Sequence, residues 1–218
     1  MRTRLLIIIS AVLIMAALVL TFLVAPPIEG QAESYRIFYF HVPVAWTAFL
    51  AFLLTFAWSI VYLKKRDMKW DFYASASAEI GLVFTTLILI TGSIWAKSAW
   101  GIWWTWDLRL TTSLVLWLIY VGYFLIRGYV PDEERRARFG AVIGIIGFVD
   151  VPIVALAISL APTTHPPPVI FEGGLTDWRE VLTLLVGIAA FTVLFFVLLG
   201  QRVSLKHSED TLKKLKSE

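Results

Sequence analysis

The chain contains no cysteine. That excludes a disulfide framework, a thiol nucleophile, an iron–sulfur cluster and a thiolate metal site. Charge is scarce as well: 16% of the 218 residues are Asp, Glu, Lys or Arg, against 59% hydrophobic. An ordinary soluble domain is about half apolar and about a quarter charged, so that class is excluded. Disorder is excluded too, because it requires a sequence poor in apolar residues. No internal repeat is visible, which leaves an inverted-repeat transporter without support. The net charge of +3 is not a nucleic-acid signature. The basic residues fall in short runs between apolar segments, the pattern of membrane-flanking charge, so the expected partner is a lipid bilayer and not nucleic acid.

What the chain has is long apolar runs. A bilayer-crossing helix needs about 20 mostly apolar residues, and six stretches supply them, at about 5–25, 42–63, 78–96, 111–126, 140–160 and 181–200. The prediction is an all-α integral membrane protein with six transmembrane helices in one membrane domain, 1–200, followed by a charged tail, 201–218, expected to be frayed or a surface helix. The first stretch follows Arg2 and Arg4, as a signal peptide would. Its apolar run is longer than an h-region of about 7–15 residues, and Ala25-Pro26-Pro27 offers no small-x-small cleavage site, so a retained helix is expected.

Lys and Arg divide unevenly between the two sets of loops. One side holds Arg2, Arg4, the 64–69 and 127–138 clusters and the tail, 15 residues in all, and the other holds Arg36, Lys97, Arg109 and Arg179. The positive-inside rule then puts both termini in the cytoplasm. Three loops face outward, at about 26–41, 97–110 and 161–180.

Of the three histidines, His207 is in the tail, while His41 and His165 both fall at the outward membrane edge. His41 stands in Tyr39-Phe40-His41-Val42-Pro43, where Pro43 suits the first turn of a helix. His165 stands in Thr163-Thr164-His165-Pro166-Pro167-Pro168, and the prolines hold that loop extended and stiff. Either histidine alone reads as an interfacial polar residue with a hydrogen-bond partner. Two on one side suggest a shared role. Neutral imidazole is the commonest metal ligand, but two imidazoles without thiolate or an acidic cluster would leave zinc or copper under-coordinated. A haem needs just two axial ligands, so the pair fits haem better than a bare ion.

The loop between the third and fourth spans holds Trp95, Trp100, Trp103, Trp104 and Trp106, five of the ten tryptophans, with Gly101 and Asp107-Leu108-Arg109 beside them. An interfacial aromatic belt would spread its rings over all the helix ends; a cluster in one loop is equally consistent with a platform for a flat ligand. If the loop is helical, Trp100, Trp103, Trp104 and Asp107 share a face. Such a face suits a porphyrin, and Arg109, Arg36, Lys97 and Arg179 are candidate partners for its propionates. Each of these cations also has an ordinary reading as a snorkelling or loop-stabilising charge.

The segment Trp100-Gly101-Ile102-Trp103-Trp104-Thr105-Trp106-Asp107, with Arg109-Leu110-Thr111, resembles the "WWD" signature of the haem-handling proteins of cytochrome c biogenesis. Six spans in this length, Tyr39-Phe40-His41-Val42-Pro43-Val44-Ala45-Trp46, and Asp150-Val151-Pro152-Ile153-Val154 followed by His165-Pro166-Pro167-Pro168-Val169 make the CcmC family of System I maturation the best match. The resemblance spans nearly the whole chain. It implies a multi-pass protein of the inner membrane, not an enzyme, whose outward face binds haem b between two axial histidines, here His41 and His165, and the loop carrying Trp100, Trp103, Trp104, Trp106, Asp107 and Arg109. It also implies CcmE as the haem acceptor, a CcmA/CcmB ABC-type assembly as partner, and the small CcmD as a further candidate.

Asp150 falls near the middle of the fifth span, where a carboxylate costs about 2.5–3.5 kcal/mol. It reads as a functional residue, or as one that is protonated or bonded to backbone freed by Pro152. The competing function is a membrane electron-transfer subunit that carries a b-type haem and oxidises quinol; such subunits usually place their histidines inside the membrane. A small-solute channel with the Trp loop as a lid is a third option, and a visible spectrum of the purified protein separates it from the other two.

Overall fold

In hydrocarbon no water is present to satisfy backbone N–H and C=O groups, so apolar segments of this length must bond within themselves as helices. A computed structural model describes residues 2–27, 32–161, 175 and 177–217. Among these the secondary structure is entirely helical. The first helix, α1 (Arg2–Val19), passes into a π-helical turn over Leu20–Val24, and a 3-10 turn over Ala32–Ile37 leads into α2 (Phe38–Lys65). Then come α3 (Met68–Trp100), α4 (Leu108–Tyr129), α5 (Glu133–Phe148), α6 (Asp150–Leu160) and α7 (Trp178–Ser217). Six stretches of this helix are long and apolar enough to cross a membrane, α5 and α6 together making the fifth.

The helices outrun the apolar runs seen in the sequence. Because α3 ends at Trp100 and α4 begins at Leu108, the expected 97–110 loop shrinks to 101–107. The tail, expected to be frayed or a surface helix, is helical and continues α7 without a break to Ser217. Pro43 lies inside α2, not in its first turn, because α2 already begins at Phe38. The carbonyl of Tyr39, released by the missing N–H of Pro43, faces Gly187 on α7, where an added Cβ would stand 3.3 Å from it. The fifth span is interrupted at Val149. Pro152 has no N–H to offer the Phe148 carbonyl, and the helix restarts at Asp150. That carboxyl is buried, and its Oδ2 has no partner among the described residues.

The outer surface of the bundle is apolar: Leu5, Leu118 and Leu185 are each more than half exposed. The interior is built from small residues. Ala48, Ala51 and Thr55 of α2 are buried where it packs on α3, which contributes Ala74, Ala76, Ser77 and Ala78, and Ser59 lies against Gly144 of α5. Lipid tails are as apolar as any leucine, so helices in a bilayer associate through close packing, which small residues permit. An added Cβ at Gly81 would come within 2.5 Å of the Phe52 ring. Three buried threonine hydroxyls bond back to their own helix: Thr47 donates to the Pro43 carbonyl at 2.8 Å, Thr55 to Ala51 at 2.9 Å and Thr85 to Gly81 at 2.8 Å.

At the end of the bundle that carries the basic clusters, charges meet in pairs. Arg127 of α4 grips Asp71 of α3 through both guanidinium nitrogens, each 2.7 Å from a carboxylate oxygen. Arg202 and Lys206 of α7 close on Glu79. The Asp71–Arg127 pair is shielded, its side chains 4% and 12% exposed, and removing one member of such a pair leaves the other uncompensated. Asp71→Asn is therefore expected to cost about 3 kcal/mol, read as a lower thermal-unfolding midpoint in detergent. The double variant with Arg127→Met should recover part of that loss. An unchanged midpoint for Asp71→Asn alone would mean that the pair contributes no stability.

Candidate functional site

The site is built where α2 begins and α3 ends. Helix α3 stops because Gly101 adopts the left-handed conformation, φ 76°, and returns its N–H to the Lys97 carbonyl at 3.1 Å, as helices commonly end. Lys97 Nζ closes the same turn by donating to the Gly101 carbonyl at 2.9 Å, a favourable place for a cation. Helix α4 starts at Asp107, whose carboxylate accepts the Leu110 N–H at 2.9 Å and the Thr105 hydroxyl at 3.1 Å. Between the two caps the chain is not helical. The expectation that Trp100, Trp103, Trp104 and Asp107 share a helical face therefore does not hold: the left-handed Gly101 and the capping Asp107 both forbid it.

The rings are arranged otherwise. Trp100, the last residue of α3, rests against Trp95 with centroids 5.0 Å apart, and Trp104 meets Trp106 edge to face at 5.8 Å. Trp103 and Trp106 are 58% and 76% exposed. The indole N–H of Trp104 is buried and has no hydrogen-bond partner among the described residues. Two other indoles are satisfied across helices, Trp46 by Thr192 and Trp117 by Thr86.

His41 lies one turn into α2, half-buried against α3. Its ring crosses Gly92 so closely that an added Cβ would stand 3.2 Å from Cε1. Its Nδ1 is 2.8 Å from Thr91 Oγ1. The ring faces a cavity whose walls also include Gly92, Trp95, Trp100, Asp107 and Arg109. Of the residues singled out in the sequence, His41, Trp100, Asp107 and Arg109 are thus brought together. Trp103, Trp104 and Trp106 lie outside this cavity, along the loop. His165 lies outside the described residues. The cavity measures about 50 Å³, far below the roughly 300–1,000 Å³ of a small-molecule pocket. A flat ligand of porphyrin size reaches His41 only across the cavity mouth, or after Trp100 and the loop shift.

The candidate cations separate clearly. Arg36 is paired with Glu33 and lies over the Phe22 and Tyr35 rings. Arg179 clasps Asp177 through Nε and Nη2, and those bonds hold the Asp177 carboxyl below the usual carboxylate range. Lys97 is used by the α3 terminus. Arg109 alone of the four lines the cavity, and it forms no ion pair among the described residues. It stands in the first turn of α4, where the helix dipole disfavours a cation, so helix stability does not account for it. Thr91 and Gly92 escaped the sequence reading. They sit inside an apolar run, and nothing in a sequence states which residue of one span a histidine of another will meet.

The profile of the family described as Heme exporter protein C (CcmC) matches residues 2–217. The chain is 36% identical over 176 residues to the Heme exporter protein C of Bradyrhizobium diazoefficiens, covering 80% of this chain and 67% of that protein. It is 37% identical over 142 residues to the Heme exporter protein C of Escherichia coli K12, covering 65% and 58%. A cytochrome c biosynthesis ccmC-like mitochondrial protein of Marchantia polymorpha is 32% identical over 184 residues, covering 84% and 77%.

The capping geometry assigns Asp107 a measurable structural share. Replacing a capping Asp by Ala costs about 1 kcal/mol, whereas Asn caps as well as Asp. Asp107→Ala is expected to lower the unfolding midpoint and to open the loop to protease, while Asp107→Asn keeps both near the parent. Equal losses for the two variants would show that the charge matters and the cap does not.

Proposed function

Because the chain belongs to the Heme exporter protein C (CcmC) family, its role lies in haem handling for cytochrome c maturation, and we propose that it binds haem b and presents it for transfer. His41 and His165 serve as axial ligands. Trp100, Trp103, Trp104 and Trp106 offer aromatic area to the macrocycle, and Arg109 meets a propionate. The observation that carries this proposal is that His41, Trp100, Asp107 and Arg109 line one cavity. A porphyrin has a broad apolar plane, two carboxylates and an iron that needs axial nitrogen, and these residues supply a complement to each.

The protein crosses the membrane several times. We place it in the inner membrane with both termini cytoplasmic and the Trp loop on the periplasmic or extracytoplasmic side, on the strength of the 15-to-4 division of Lys and Arg. The chain has no catalytic turnover in this scheme. The acceptor is the haem chaperone CcmE, and the CcmA/CcmB assembly and CcmD are its membrane partners. A small cavity roofed by a capped but non-helical loop suits a cargo held at a mouth and passed on.

The test is a visible spectrum of the purified protein and of its variants. Two axial imidazoles hold iron low-spin, so His41→Ala and His165→Ala should each leave a high-spin or water-ligated species with lower haem content. An unchanged spectrum in the double variant would overturn the ligand assignment.

The loop is tested separately. A large aromatic buries about 150–250 Å². Covering half of that against a porphyrin contributes roughly 2–3 kcal/mol at about 25 cal/mol per Å², before the costs of binding. Trp100→Ala and Trp103→Ala should each reduce haem retention about tenfold or more, at matched protein level in the membrane. If both variants hold and transfer haem like the parent, the loop is an interfacial belt.

A further inference from the structure

We propose that Thr91 is the positioning residue of this site: its hydroxyl fixes the proton of His41 on Nδ1, so that the ring presents Nε2 to the iron. The inference deepens the proposed function and rests on His41 being an iron ligand.

It follows from counting protons. Thr91 Oγ1 lies 2.7 Å from the Leu87 carbonyl oxygen on its own helix and 2.8 Å from His41 Nδ1. Two oxygens at 2.7 Å require a proton between them. A carbonyl has none to give, and a threonine hydroxyl has one. The Thr91 proton is thus committed to Leu87, and only the hydroxyl lone pairs are left for His41. The Nδ1 contact can be a hydrogen bond only if the imidazole brings the proton. A neutral imidazole with its proton on Nδ1 carries its lone pair on Nε2.

The surroundings hold the arrangement in place. Thr91 is anchored in the continuous helix α3, so its oxygen is a fixed point. Gly92, the next residue, lets the Nδ1–Cε1 edge of the ring approach that helix, since any larger side chain would put a carbon 3.2 Å from Cε1. The approach of that edge and the position of its proton are therefore both set by two consecutive residues of a neighbouring span. An alcohol is also a neutral acceptor. A carboxylate in its place would make the imidazole a stronger donor and a firmer iron ligand, whereas the neutral hydroxyl orients the ring with a smaller gain in its hold on iron. That suits a ligand which must release its cargo.

The test uses the full chain, purified in detergent and titrated with haemin. Thr91→Val keeps the shape and removes the acceptor. Second-sphere changes of this kind cost about 10–100-fold in metal affinity. The expected result is a tenfold or greater loss of haemin affinity, with a shift from low-spin to high-spin absorption in what still binds, and an unfolding midpoint within the error of the parent. Thr91→Ser, which retains the hydroxyl, should restore affinity and spectrum. Thr91→Ala removes the same acceptor with less bulk and answers for a Val variant that fails to accumulate. The proposal is overturned if Thr91→Val and Thr91→Ala keep the parent affinity and spectrum, or if Thr91→Ser is as impaired as they are. His41→Ala, measured alongside, separates the two levels. If it loses the low-spin signal while the Thr91 variants keep it, only the positioning role falls. If it too keeps the signal, the ligand assignment falls and takes this inference with it.

Discussion

The contact between α2 and α3 is the constraint on which the rest of the molecule depends. Alanine, serine, threonine and glycine line it, and Gly81 admits the Phe52 ring where any Cβ would collide. In a bilayer this closeness is itself the driving force, because apolar surface gains little by leaving lipid for protein. Such a seam has a fixed register. The register that seats Phe52 on Gly81 at mid-bundle also seats His41 on Gly92, three turns along α3. The placing of the histidine is thus a consequence of packing far from it, and the site inherits the rigidity of the seam.

A second constraint acts on polar groups. A threonine hydroxyl that helps the helices approach needs an acceptor, and within a helix the nearest is the carbonyl four residues back. Thr47 and Thr85 take that course, and Thr55 takes it while also reaching the Ala74 carbonyl of α3 at 3.4 Å. Thr91 takes it too, but near the end of the bundle its oxygen meets a second group, the ring of His41. The same local chemistry that keeps the core dry therefore becomes an orienting device where the core gives way to the site.

Much of this was legible in the sequence. The six apolar runs are long enough for helices, the lone tryptophan cluster announces its loop, and the scarcity of histidine directs attention to His41. What was not legible has physical reasons. Helices run past the apolar stretches because their ends are carried by caps, such as Gly101 and Asp107, and not by hydropathy. Spacings of three and four among the Trp-loop residues are compatible with a helical face, yet a single left-handed glycine cancels that possibility. Asp107 was readable as an acidic residue of a motif, but its capping bond depends on where α4 begins. Thr91 and Gly92 were invisible, since their importance lies in the partner they face across a helix seam.

The charges give the last step. Four cations were available to a dianionic cargo by sequence, and three are already engaged: Arg36 with Glu33, Lys97 with the end of α3, and Arg179 with Asp177. A cation that closes a helix or grips a neighbour has exchanged its hydration for that contact, and recruiting it would undo the exchange. Among the described residues Arg109 forms no such bond, and the charge acting on it is the neighbouring Asp107 carboxylate. Arg109 stands at a helix start, where the backbone dipole repels it, and it lines the cavity that His41 faces. A residue held at electrostatic disadvantage gains most when an anion arrives, because the anion relieves the dipole and the guanidinium together. The Asp107 carboxylate beside it caps the helix and so fixes where Arg109 starts. The acid and the base of this motif thus divide the work: one caps the helix and sets the position, and the other brings a guanidinium to the cavity wall.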